Sequence, residues 1–158
     1  MAKPNNNNKK GNNNKNQNNY FTQNIREKGE DFIHYKSPRD LQNDALKIFR
    51  ELARGQIDIS KHGKYFLDPQ FLASCVQAAQ SKYQYHAISQ TGVDMYITQI
   101  MSKGSMPDDI TIGVKEDHKR KAEAYGLIYQ SLCSISYTYD INSLFVLVSK
   151  LQNYKYNL

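Results

Sequence analysis

The chain contains no tryptophan, only two cysteines and four prolines, and no long apolar run. Cys75 and Cys133 supply neither a disulfide framework nor the four ligands of a structural zinc site. The longest strongly apolar run, Leu144-Phe145-Val146-Leu147-Val148, is far short of the ~20 residues a membrane-spanning helix needs. No apolar stretch follows the N-terminal lysines, so a secretory leader is not expected, nor is membrane attachment. Glycine-rich phosphate loops are missing, and His34, His62, His86 and His118 include no i,i+4 pair.

Acid is also missing from one end. Residues 1–26 carry Lys3, Lys9, Lys10, Lys15 and Arg26 and no Asp or Glu, so nearly all of the formal charge of +6 sits there. The rest of the chain is close to neutral. Ten of the first 20 residues are asparagine. Ordering a backbone costs ~1–2 kcal/mol per residue, and this segment has almost no apolar side chain to offset that. It is expected to be disordered alone and ordered by a partner. Lysine outnumbers arginine 16 to 5, which reflects A/T-rich coding and says nothing of chemistry.

From Tyr20 to Tyr35 apolar residues occur singly among charges, which reads as a docking arm and not a core element. Ser37-Pro38-Arg39-Asp40 is a helix start: a serine N-cap, proline at N1 and an acid at N3. Leu41, Ala45, Ile48, Phe49 and Leu52 then recur at helical spacing, and Gly55 marks the end. Gln56 to Leu67 reads as a connection, with Ile57 and Ile59 alternating as in a short extended piece. Asp68-Pro69 opens a second helix reaching about Ile88. Thr91 with Asp94 looks like a capping box for a third, which Lys103-Gly104 ends. Residues 105–114 read as a loop with room for a short strand at Ile110-Thr111-Ile112. A fourth helix is expected over Lys115–Tyr137, and a fifth after Asp140 through Leu151. The fold class is therefore all-α, a bundle of about five helices. Its organisation is a basic arm over 1–26, a docking linker over 27–36, a helical domain over 37–153 and an aromatic tail over 154–158.

No catalytic constellation emerges. Asp108 and Asp109 are adjacent after Pro107, but general acid–base work needs two carboxyls converging on one bond; turn formation and capping is the plainer reading. Cys75 and Cys133 sit in apolar stripes, where thiols pack. No enzymatic activity, metal or cofactor is expected. Two basic groups, Lys61 with Lys64 and Lys119-Arg120-Lys121, could join Lys3, Lys9, Lys10 and Lys15 in contacting phosphate; a solvated connection for the first and a solvated, self-paired helix face for the second is the plainer reading. Tyrosine is the unusual count, twelve. Tyr83/Tyr85, Tyr137/Tyr139 and Tyr154/Tyr156 are i,i+2 pairs, so one member of each faces outward on a helix. Exposed tyrosine suits interfaces, and Tyr20, Phe21, Tyr137, Tyr139, Tyr154 and Tyr156 are the candidate interface residues.

The helix pattern of residues 37–153, flanked by terminal arms, resembles the small helical ring or adaptor proteins of the tailed-bacteriophage neck. That resemblance implies a structural subunit of the virion, a head-to-tail connector. It would form a ring with copies of itself and touch neighbouring structural proteins and, weakly, DNA. The alternative is a nucleic-acid-binding accessory protein of ribosome-associated or nucleoid type, working through the basic N-terminal tail.

Overall fold

Local capping chemistry explains where most helices begin. The computed structural model describes residues 19–158, and among these are seven α-helices, one 3-10 turn and no strand. They are α1 (Tyr20–Lys28), α2 (Asp31–His34), α3 (Pro38–Ala53), α4 (Ile59–His62), the 3-10 turn (Gly63–Leu67), α5 (Pro69–Ser102), α6 (Asp109–Thr138) and α7 (Asn142–Asn153). The all-α expectation holds.

Helix α3 follows its sequence signals closely. The Ser37 hydroxyl accepts from the Asp40 N–H at 3.2 Å, and Leu41, Ala45, Ile48, Phe49 and Leu52 are fully buried. Each large apolar side chain so buried contributes about 1.5–3 kcal/mol. Gly55 adopts φ +67°. There Gly55 N–H donates to Leu52 and Gln56 N–H to Glu51, at 3.0 and 2.9 Å, a Schellman closure only glycine accommodates without strain.

Four expectations are corrected. Residues 20–35 form α1 and α2 and belong to the core: Phe21 and Phe32 are fully buried and Ile33 nearly so. The Phe21 ring stacks on Phe71 at 5.7 Å and also meets Phe32, Tyr65 and Phe66. A boundary between an arm and a domain at residue 26 would therefore cut through packed structure. The connection after Gly55 is no extended piece; α4 and the 3-10 turn occupy it, with Ile57, Ile59 and Phe66 buried. The second and third helices are one, α5, 34 residues long. Thr91 does not cap anything: its hydroxyl donates to the Ala87 carbonyl one turn back. Nor is there a strand at Ile110-Thr111-Ile112, which lies in the first turn of α6; Asp108 caps that helix by accepting from the Thr111 N–H at 2.7 Å.

Helices α5 and α6 form a long antiparallel hairpin, the most extensive packing in the molecule. Its root is clamped by α3, α7 and the 3-10 turn. Phe71, Leu72, Cys75, Ala78 and Ala79 of α5 meet Tyr125, Ile128, Leu132 and Ile135 of α6 in the common core. Beyond that root the hairpin runs on alone. No described residue's helix is long and apolar enough to cross a membrane.

Candidate protein-interaction surface

From residue 87 to residue 121 no side chain is buried. The last 16 residues of α5 therefore extend about 24 Å past His86, supported only by the facing turns of α6. Val93, Ile97 and Ile100 are half-buried along that inner seam, and Lys115 Nζ reaches Asp94 Oδ1 at 2.9 Å across it. At the root, His86 Nδ1 and His118 Nδ1 lie 2.9 Å apart. One imidazole must donate and the other accept, so the pair holds together only while at least one is neutral. His86 also stacks on Tyr125 with ring centroids 5.7 Å apart. Burial, with the neighbouring His118, Lys121 and Lys82 charges, pushes the His86 pKa down to about 4.

The outer surface of this projection is unusually apolar. Ile88, Met95 and Tyr96 on α5, Met106 in the turn and Ile110 on α6 are between 55% and 79% exposed. Between Tyr83 and Ser102 the only acid is Asp94, with which Lys115 already pairs, and the only base is the buried His86. A solvated helix face normally carries interspersed charge. Contiguous apolar patches beyond a few hundred Å² mark interaction sites. Towards the root the same face opens into a groove of about 420 Å³ between α3 and α5, walled by Leu46, Ala78, Ser81 and Tyr85.

The residues singled out from sequence are distributed differently. Lys3, Lys9, Lys10 and Lys15 lie outside the described residues. Phe21 is a core residue, which corrects its place among interface candidates. Tyr20 is half-buried against α3, its hydroxyl donating to Asp44 while its own N–H and that of Phe21 donate to the Glu51 carboxylate. Tyr137, Tyr139 and Tyr154 are exposed. Tyr156 packs instead, donating to Glu123 at 3.2 Å beneath the Arg120 guanidinium. Arg120 also donates to the Tyr154 carbonyl, and Lys121 pairs with Asp117 at 3.2 Å. Two of the three cations in the 119–121 group are thus engaged within the chain. Lys119 lines a shallow groove with Tyr83, Tyr154 and Tyr156, Lys64 lies over the Tyr65 ring, and Lys61 is exposed at the end of α4. Cys75 is fully buried, which drives its thiol pKa upward. Among the described residues no group of three or more His, Cys, Asp or Glu side chains is arranged to hold a metal.

Sequence reasoning missed Ile88, Met95, Met106 and the Leu46 groove as surface features. The signal that could have found them is the near-absence of charge from Tyr83 to Ser102. No family model, no curated protein and no solved structure matches the chain.

Proposed function

We propose that this chain is a structural subunit that works by protein–protein contact within a larger assembly, in the manner of the phage-neck connector proteins it resembles. One observation carries the reading: a helical hairpin that leaves the core, buries nothing of its own and presents Ile88, Met95, Tyr96 and Met106 to solvent. Side chains of this kind cost free energy when left in water, about 25 cal/mol per Å². A projection built from them is stabilised when another protein covers it. Methionine suits such a surface because its unbranched thioether adapts to the facing shape, and Met95, Met101 and Met106 all lie on the hairpin.

Purified particles from the source of the chain, resolved on a density gradient, test the reading. Quantitative mass spectrometry should find the chain in the particle fraction at a fixed ratio to other structural proteins. Recovery only as free protein, with none in particles, would sink the connector reading.

A further inference from the structure

We infer that the outer face of α5 is a self-pairing surface on which a second copy of the same chain docks antiparallel about a two-fold axis near Gln90. The inference deepens the assembly reading and rests on it. It is carried by the spacing of Ser81, Tyr85, Ile88, Gly92, Met95, Gln99 and Ser102, which alternates by four and three residues along one helix. That is the spacing of a two-helix seam. The inner face of α5 already meets α6 through Val93, Ile97 and Ile100, so this seam belongs to a different partner.

The sequence of the seam complements itself when reversed. With the axis at the level of Gln90, Gly92 of one copy faces Ile88 of the other, Tyr85 faces Met95 and Ser81 faces Gln99. Large side chains meet small ones or apolar ones at each level. A Cβ placed on Gly92 would meet nothing within 4 Å, so the glycine is not required by this chain's own packing; opposite Ile88 it makes the hollow that a knob fills. None of the seam positions carries a charge, and Asp94 beside them is held by Lys115. The end of α5 in the second copy arrives past Ser81, which brings its Met106, 79% exposed, over the groove walled by Leu46, Ser81 and Lys82.

The area is sufficient. Tyr85, Ile88, Met95 and Met106 are 57%, 72%, 63% and 79% exposed. At roughly 150–250 Å² for a large side chain, two copies would cover on the order of 1,000 Å² through these residues. Seam glycine, serine and groove contacts raise that past the ~1,200 Å² lower bound of specific stable interfaces. A C2 arrangement uses the same patch twice and closes on itself.

Sedimentation equilibrium of the purified full chain tests this. The wild type should sediment at twice the chain mass at micromolar concentration. A variant carrying Ile88→Lys and Met95→Lys should lose that doubling while keeping its helical circular dichroism, because both positions are exposed. Tyr137→Lys, at the far end of α6 and 90% exposed, should leave the dimer intact. In a Cys133→Ser background, mixing Ile88→Cys with Gly92→Cys chains and oxidising should give the mixed disulfide in preference to either like pair. A wild-type monomer overturns the proposal, as does a dimer that survives both lysines or a mixture showing no preference for the mixed bond. Presence or absence of the chain in particles is read separately, so either proposal can fail without the other.

Discussion

Phe21 shows how one side chain changes the meaning of a segment. It lies in a polar stretch beside the asparagine-rich end, yet its ring is fully buried among Phe32, Tyr65, Phe66 and Phe71. Truncating a phenylalanine in such a site costs about 3–5 kcal/mol. Phe21→Ala should lower the unfolding free energy by that amount in a urea titration; a loss below about 1 kcal/mol would return residues 20–28 to the status of an arm. His86 makes a second prediction. Its pKa is lowered from 6.5 to about 4 by burial and by the charges around it, with Asp117 the opposing influence. Between those values the unfolded chain binds a proton that the folded chain refuses, so stability falls as pH drops through that window. The melting temperature should therefore decline from neutral pH towards about pH 5, and His86→Phe should flatten that slope. An unchanged slope in His86→Phe would show that other groups govern it.

At the scale of elements, caps were legible and continuity was not. Ser37, Asp68 and Asp108 each cap the helix that follows, and all three stand before or beside a proline in the sequence. Asp108→Ala should cost about 1 kcal/mol, read in the melting curve, since it removes the acceptor for the Thr111 N–H. Thr91 and Asp94 imitate the same signal in the middle of α5. There the threonine turns its hydroxyl back to Ala87 and the aspartate reaches Lys115 on the neighbouring helix. Local spacing cannot tell a cap from two residues whose partners lie elsewhere. Gly113 offers a converse test: it is helical, and an added Cβ meets nothing within 4 Å. Gly113→Ala should stabilise the chain by about 0.5–1 kcal/mol, and a destabilisation would mean that face of α6 is already covered.

For the molecule as a whole, the division into a core and a bare hairpin decides what each end of the chain does. The N-terminal helix is pinned to α3 by Glu51, whose buried carboxylate accepts from the first two N–H groups of α1, and by the Tyr20 hydroxyl on Asp44. A chain starting at residue 27 would leave Glu51 buried without those partners and a hollow where Phe21 and Ile25 packed. It should fail to show a cooperative thermal transition, whereas a folded truncated chain with native melting would contradict the packing described here.

Composition and periodicity alone determined that the chain is helical, where α3 and α5 carry their caps, and that α3 and α7 each bury one face. Those properties depend on residues within a turn or two of each other, and a linear sequence preserves that neighbourhood. Tertiary structure alone decided that Phe21 is core, that His86 meets His118, and that Ile88 and Met95 face water while Ile97 and Ile100 do not. Each of these turns on how one helix is set against another, as with the two histidines, 32 residues apart in sequence. An apolar residue on a helix is the same letter whether it faces the partner helix or solvent; only the packing of α5 against α6 distinguishes the two faces.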